Sequence, residues 1–321
     1  MPDHTEVFQK IKQIASTGHV ELFILKTTTS IKPEKMRELL RVTVEGGIVN
    51  YFKDLVKQKI DWLNNDSELS FIDFFEDTAR DRYICTLSNT DDIPVLSHIL
   101  ARIQQDSHEE PISVFSEKDL DKLQSYAIEF KRGEERVIYF RKYGKGSKIS
   151  STGFALIFKR GMFNKLDGDV FKIDQTIDCI YYEWGDQKGV YILNRENFES
   201  IFSFYEIYKA ESQTAHGLLV ASNLVSITQG LFESIINTRR YSKKIALINK
   251  RGNFRNIDLE KIQQLISRSQ EHLRFDIQEG KVVIQNKEGL ADFLDVCEKN
   301  ILQDPFDSYQ LYRTKNKERL Q

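Results

Sequence analysis

Apolar residues recur near the start of the chain first at helical spacing and then as a continuous run. Val7, Phe8, Ile11 and Ile14 share one helical face, which predicts a helix that ends at Gly18. The run VELFILK that follows is short and mainly apolar, so it indicates a buried strand.

Three more helical segments and another strand are expected before residue 110. Pro33 suits the first turn of a helix through EKMRELLRV, and the helical spacing resumes after Gly46 in IVNYFKDLVKQKIDWL. YICTL predicts a strand at 83–87, and a helix is expected from about Asp91 to Gln105. The polar segment QQDSHEEPIS then predicts a linker.

Residues 125–195 have the alternation that is typical of strands. YAIEFKRGEERVIYFRKY alternates on both sides of Gly133 and predicts a hairpin, and FALIFKRG and VFKIDQ add strands. The strand IDCIYYEW is apolar on both faces, so we expect it at the centre of its sheet. GDQKG turns the chain into VYIL, and Asn194 is expected to cap the next helix.

Residues 196–321 are predicted to be mainly helical, with a helix from about Asp258 and a hairpin that turns at Glu279 and Gly280. The predicted fold class is α+β: an N-terminal α/β region, a central and mostly antiparallel sheet with packed helices, and a helical C-terminal part with a small hairpin. Two domains are expected, over residues 1–110 and 111–321.

The composition is that of a soluble globular protein, with 40% hydrophobic and 29% charged residues, and it excludes long disorder. The three cysteines have no CxxC spacing, so we expect core thiols and predict neither a metal site nor a cofactor. The opening MPDHTEVFQK has no apolar core and is not expected to be a signal peptide. The run of uncharged residues 212–232 has polar residues that would be costly in lipid, so we predict a helix buried in protein or a contact with a partner.

One charged stretch invites comparison with a nuclease. Asp178, Glu183 and Lys188 have the residue types of a magnesium-dependent site, in which carboxylates bind the ion and a lysine activates water. Lys188 falls in the predicted turn, and Asp178 and Glu183 are five positions apart on the predicted strand, an odd separation that directs them to opposite faces. GxSxG, GxxxxGK[ST] and HExxH motifs are absent from the sequence. We therefore predict no catalytic residues, with a magnesium-dependent nuclease as the alternative.

Positive charge is concentrated in two segments. The first basic segment, residues 131–148, has seven basic residues and two acidic ones, and the second basic segment, residues 239–255, has seven basic residues and no acidic one. Such arrays favour contacts with phosphate, since each neutralised phosphate releases counterions. Tyr139, Tyr143, Tyr241 and Phe254 lie among them as candidates for stacking on bases. The predicted DNA-binding residues are Arg239, Arg240, Lys243, Lys244, Lys250, Arg251, Arg255, Arg141, Lys142, Lys145 and Lys148.

Three stretches carry a family resemblance: IDCIYYEWGDQKGVYILNRENFESIFSFYE, SKKIALINKRGNFRNIDLEKIQQL and KVVIQNKEGLADFLDVCEKNILQDPFDSYQLYRTKNK. Over roughly residues 115–315 the chain resembles the DUF4868 family, whose best-known member is the KwaB component of the bacterial Kiwa anti-phage defence system. The motifs that carry the resemblance are apolar and turn patterns, so the family supplies no catalytic residue.

The resemblance implies a cytoplasmic protein that binds DNA and is recruited to the inner membrane by a KwaA-like multi-span membrane protein. It also implies a homodimer that engages phage DNA and hinders its replication or transcription. An adaptor whose basic surfaces meet anionic lipid headgroups is a further alternative.

Overall fold

In the computed structural model, the described residues are 4–28, 37–44, 46–76, 82–91, 93–105, 111–115, 123–143, 148–149, 155–159, 162–166, 170–171, 176–268, 273–298, 301–303 and 311–313. The short strands at 148–171 and 301–313 are described by their backbone alone. The chain divides into two compact units. The first unit comprises Met1–Asp73 with Arg82–Ser203, and the second comprises Phe74–Asp81 with Phe204–Gln321.

The first unit has most of the strands. Its elements are α1 His4–Thr17, β1 His19–Thr27, β2 Arg37–Val42, α2 Gly46–Asn65, β3 Ser70–Asp73, β4 Tyr83–Leu87, α3 Pro94–Gln104, β5 Leu123–Arg132, β6 Glu135–Lys142, β7 Lys148–Ile149, β8 Ala155–Lys159, β9 Met162–Leu166, β10 Val170–Phe171, β11 Cys179–Trp184, β12 Gln187–Ile192 and α4 Arg195–Ile201.

Eight of these strands form one sheet in the order β2-β1-β5-β6-β11-β12-β4-β3. Neighbouring strands are antiparallel except for β3 and β4, which are parallel. The hairpin between β5 and β6 turns at Gly133, whose φ of 61° is accessible to glycine at no steric cost. The predicted antiparallel sheet and this hairpin are confirmed. The expected domain division at residues 110 and 111 stays a prediction, and strands from both sides of it lie in this sheet.

Both faces of the sheet are covered by helices. On one face, α1 and α2 pack against a cluster that includes Ile180 and Tyr182. On the other face α4 contacts β6, and the rings of Phe140 and Phe202 lie 5.1 Å apart. Strand β11 lies between β6 and β12 and is buried on both faces from Cys179 to Tyr182, which confirms its expected central position.

The helix expected after Pro33 is wrong for the described part of that segment. Residues 37–42 form the edge strand β2, in which Leu39 pairs with Leu25 and Leu40 with Ile24 of β1. Helical spacing in a short apolar segment is a weak signal. Pairing with the edge of β1 therefore determines the conformation of residues 37–42. Pro33 and most of the predicted linker (106–110) lie outside the described residues.

The second unit is mainly helical. Its elements are α5 Phe204–Ser222, β13 Val225–Ile227, α6 Leu231–Ile236, α7 Arg239–Lys250, a 3-10 turn Asn253–Asn256, α8 Leu259–Arg268, β14 Asp276–Gln278, β15 Lys281–Ile284, α9 Lys287–Cys297, β16 Ile301–Gln303 and β17 Leu311–Arg313. The hairpin β14–β15 turns at Glu279 and Gly280, both with positive φ, as predicted. Strand β13 joins β15 in parallel. The predicted α+β fold class is confirmed.

The uncharged run at 212–232 is not the buried helix that its composition suggests. It is shared among α5, β13 and the start of α6. Helix α5 buries Ser212, Ala215 and Leu219, but leaves Leu218 38% and Val220 60% exposed. The run is therefore amphipathic rather than buried on all sides. Among the described residues, no helix has both the length and the apolar character needed to cross a bilayer.

Candidate nucleic-acid interface

Helix α7 holds most of the second basic segment and presents its cations on one side. At ~100° per residue, the six basic residues from Arg239 to Arg251 fall within an arc of about 140°. The remaining side buries Ile245 and Ile248 in the core of the second unit. An amphipathic helix has therefore gathered charges that the sequence distributes over 13 positions.

The cations from the middle of α7 to its end are paired within the second unit. Lys244 forms ion pairs with Asp295 and, at 3.2 Å, with Glu298 of α9. Arg251 lies 3.8 Å from Glu298, and its Nε donates a hydrogen bond of 2.7 Å to the carbonyl oxygen of Phe75. Lys250 lies 3.9 Å from Glu211 of α5. These three predicted DNA-binding residues therefore hold the helices of their own unit together.

The first turn of α7 differs from its end. Arg239 and Arg240 are exposed, the turn has no acidic residue, and Thr238 makes no side-chain capping bond. Cations at a helix N-terminus oppose the helix dipole, at a cost of roughly 0.3–1 kcal/mol each. Helix stability therefore does not account for the two arginines. Residues that go against the charge preference of a helix terminus are candidates for a functional role.

Two cations of the second basic segment have no carboxylate within 4.0 Å among the described residues, namely Arg240 and Arg255. Arg255 is exposed on the 3-10 turn that follows α7. Lys243 lies 5.9 Å over the ring of Tyr208. The accessible charge of this segment therefore lies at its two ends, while the middle is used in packing.

In the first basic segment Arg141 is part of the fold. The carboxylate of Asp178, which is 1% exposed, accepts hydrogen bonds from Arg141 Nη1 at 2.6 Å, from the Lys142 amide at 2.7 Å and from Asn197 Nδ2 at 2.9 Å. These bonds tie β6 and α4 to the start of β11. Lys145 lies outside the described residues, and only the backbone of Lys148 is described.

Other cations of this segment are also paired. Arg136 and Glu129, whose side chains are 5% and 2% exposed, lie 3.2 Å apart. Burial raises the pKa of Glu129, and the charge of Arg136 acts in the opposite direction. Arg132 Nε donates a hydrogen bond of 2.8 Å to Glu135. Most of the described charge in the first basic segment is thus neutralised within the first unit.

The residues of the nuclease alternative have separate partners. Asp178 accepts hydrogen bonds from three donors, and Glu183 lies 3.5 Å from Arg136. Strand β12 begins at Gln187, so Lys188 lies opposite Glu183 in the sheet and not in the turn as predicted, and its Nζ is 2.9 Å from Asp91. In the described part of the chain, no group of three or more His, Cys, Asp or Glu residues has the arrangement of a metal site.

The cysteines are packing residues where the structure describes them. Cys85 and Cys179 are buried in the sheet, as expected. Burial raises the pKa of the Cys297 thiol to about 12. Since the thiolate is the nucleophilic form, this thiol is poorly suited to nucleophilic chemistry at neutral pH.

Two of the aromatic residues proposed for base stacking are core residues. Tyr139 is 0% and Phe254 is 4% exposed, so the stacking prediction is wrong for both.

Sequence reasoning also missed a neighbour of α7: the ammonium of Lys287, in the first turn of α9, lies 5.6 Å over the ring of Tyr241. A single lysine followed by Glu288 gives no charge signal in the sequence.

One comparison with known proteins gives a match. The family model described as Kiwa protein KwaB-like matches residues 120–304, which is more than half of the chain. The chain matches no curated protein and no solved structure. The matched residues include the central strand β11, its hairpin with β12, and helices α4 to α9. The chain therefore belongs to the KwaB-like family, and it is a component of the Kiwa anti-phage defence system.

Proposed function

We propose that the protein is the DNA-binding effector of Kiwa defence and that it contacts DNA largely without sequence specificity. The contacts come from the exposed Arg239, Arg240 and Arg255 of the second basic segment, together with the partly buried Lys243. The observation that carries the proposal is the exposed pair Arg239 and Arg240 in a helix turn that has no acid and no side-chain cap. Long basic side chains are suited to contacts with phosphate groups. Such contacts position a protein on DNA but do not read its base sequence.

The proposal extends to the setting in which this binding takes place. We place the protein in the cytoplasm, as a homodimer recruited to the inner membrane by a KwaA-like multi-span protein. Membership of the KwaB-like family supports this setting, because the family belongs to the Kiwa system. Phage DNA held by such an assembly is hindered in its replication or transcription.

The test is a DNA-binding titration of the full chain by fluorescence anisotropy, with two unrelated duplex sequences at two salt concentrations. We expect similar affinities for both sequences and a steep loss of affinity with salt. Arg239→Glu combined with Arg240→Glu should lower the affinity tenfold or more, which corresponds to about 1.4 kcal/mol. Unchanged affinity in this variant would remove the observation on which the proposal rests.

A matched control makes the same change in net charge elsewhere. Lys57→Glu combined with Lys261→Glu reverses two partly or fully exposed lysines, on α2 and α8. We expect this variant to lose much less affinity than the arginine variant. Equal losses in the two would show that net charge, and not the start of α7, governs binding.

The same samples test the alternatives. Incubation of phage DNA with the protein and Mg²⁺ or Mn²⁺ is expected to give no cleavage. Metal-dependent cleavage that a folded Asp178→Ala variant lacks would replace the proposal with a nuclease. Binding to anionic liposomes without affinity for DNA would favour the membrane adaptor.

A further inference from the structure

Helices α7 and α9 lie side by side and run in the same direction. Near their starts, the ammonium of Lys287 lies 5.6 Å over the ring of Tyr241. At the end of α9, Glu298 pairs at 3.2 Å with Lys244 in the middle of α7 and at 3.8 Å with Arg251 just after α7. This pairing brings the first turn of α9 beside the first turn of α7, next to Arg240 in the chain.

Lys287 shares two features with Arg240. It is exposed, and among the described residues no carboxylate lies within 4.0 Å of its ammonium. The side chain of Asn286 already caps α9 by accepting a hydrogen bond of 2.7 Å from the Gly289 amide, so the helix does not need a cation at this position. The ring of Tyr241 holds the ammonium, which limits the freedom of a long side chain.

This part of the molecule offers cations without an open aromatic face. Lys287 lies over the ring of Tyr241, and Phe254, the other ring within the second basic segment, is buried. Proteins that hold single strands combine positive charge with rings on which unstacked bases lie. A duplex keeps its bases stacked and presents one phosphate charge per about 1.7 Å of its axis, so it suits a surface of charge alone.

We propose that Arg239, Arg240 and Lys287 form one binding surface across the starts of α7 and α9, and that it takes the phosphate backbone of duplex DNA without stacking on bases. The inference rests on the proposed function and adds to it a second helix, a third contact residue and the form of DNA that is bound.

The experiment measures the affinity of the full chain for a duplex and for a single strand of the same sequence, over a series of salt concentrations. The wild type is expected to bind the duplex more tightly. Lys287→Glu should lower duplex affinity severalfold and reduce the slope of log affinity against log salt by about 0.9, which is the loss of one phosphate contact. The control is Lys261→Glu, which reverses an exposed lysine of α8 and should leave that slope unchanged.

Tyr241→Leu tests the absence of stacking. This variant should leave single-strand affinity unchanged, and a fall of several-fold would show that the ring stacks on bases. Thermal melting of each variant shows whether a loss comes from unfolding.

The outcomes separate the two proposals. If the wild type does not bind DNA, the proposed function fails. If the wild type binds and the Arg239–Arg240 variant does not, but Lys287→Glu behaves like Lys261→Glu, only the surface across two helices fails. Tighter binding to the single strand would overturn the assignment to duplex DNA.

Discussion

The two basic segments contain equal numbers of cations, but the fold uses them differently. In the first basic segment the cations whose side chains are described lie on strands β5 and β6, namely Lys131, Arg132, Arg136, Arg141 and Lys142. Successive strand residues point to opposite faces of a sheet, and both faces of this sheet are covered. Arg136 is therefore buried and paired with Glu129, and Arg141 is held by Asp178.

The second basic segment lies on a helix with one buried side. Helix α7 packs against α5 and α9, and its middle cations reach the acids of those two helices. Arg239 and Arg240, in its first turn, remain exposed. The comparison shows that a high local charge leaves cations exposed where an element turns one side to solvent, and that it is absorbed in packing where both faces of an element are covered.

The largest expected effect concerns the first basic segment. Asp178→Ala removes the acceptor of three hydrogen bonds and leaves Arg141 without its buried partner. We expect the free energy of unfolding to fall by about 3–5 kcal/mol, which is typical when one member of a buried ion pair is lost. Urea unfolding followed by circular dichroism measures it.

Asp186→Ala is the control for this prediction, because Asp186 is exposed in the turn between β11 and β12. It should change the free energy of unfolding by no more than about 0.5 kcal/mol. A change of that small size in Asp178→Ala would mean that Asp178 is available for another role, and the contrast between the two segments would weaken.

Glu298→Gln tests the second segment, with an intermediate effect. The substitution weakens the pairs with Lys244 and Arg251 and should lower the free energy of unfolding by about 1 kcal/mol, since both pairs are partly exposed. DNA affinity should rise, because the charges of Lys244 and Arg251 are less fully neutralised, although Lys244 keeps its ion pair with Asp295. Anisotropy and urea unfolding on the same sample measure the two effects.

Glu260→Gln removes an exposed carboxylate from α8 with the same change in net charge. If it raises DNA affinity as much as Glu298→Gln does, the gain comes from net charge and not from Lys244 and Arg251.

Local patterns in the sequence were sufficient for much of the fold. The alternation around Gly133, the two apolar faces of β11 and the cap at Asn194 each depend on neighbouring residues, and each is confirmed. The strand at residues 37–42 was not predicted, because its conformation depends on pairing with β1.

The candidate site depends more on distant residues. The sequence places seven cations together, but Glu298 and Glu211, which neutralise some of them, lie tens of residues away. Lys287 reaches the site only because α9 packs along α7. No local pattern distinguishes Arg240 from Lys244, although the first is exposed and the second is paired.

A smaller effect is expected at the start of α7, with opposite signs for stability and binding. Arg240→Glu places an acid in the first turn, where it interacts favourably with the helix dipole. The free energy of unfolding should rise by about 0.3–1 kcal/mol. DNA affinity should fall severalfold in the same variant, whereas Arg240→Gln should have about half of each effect. A variant that loses stability and affinity together would indicate that Arg240 supports the fold.

The smallest effect is expected for Arg132, and it tests whether the described cations of the first basic segment are held in ion pairs within the fold. Glu135 accepts hydrogen bonds from Lys10 and Arg132, and these hold the pKa of its carboxyl below the ordinary value. Its contribution to stability is therefore present above the ordinary pKa and is lost as the pH falls through the lowered one. Arg132→Gln should move the Glu135 pKa back towards its ordinary value, as followed by the carboxyl carbon shift in NMR spectra, and should leave DNA affinity unchanged. If DNA affinity falls instead, and the Glu135 pKa is unchanged, then Arg132 contacts DNA and does not pair with Glu135. The two basic segments would then have the same function.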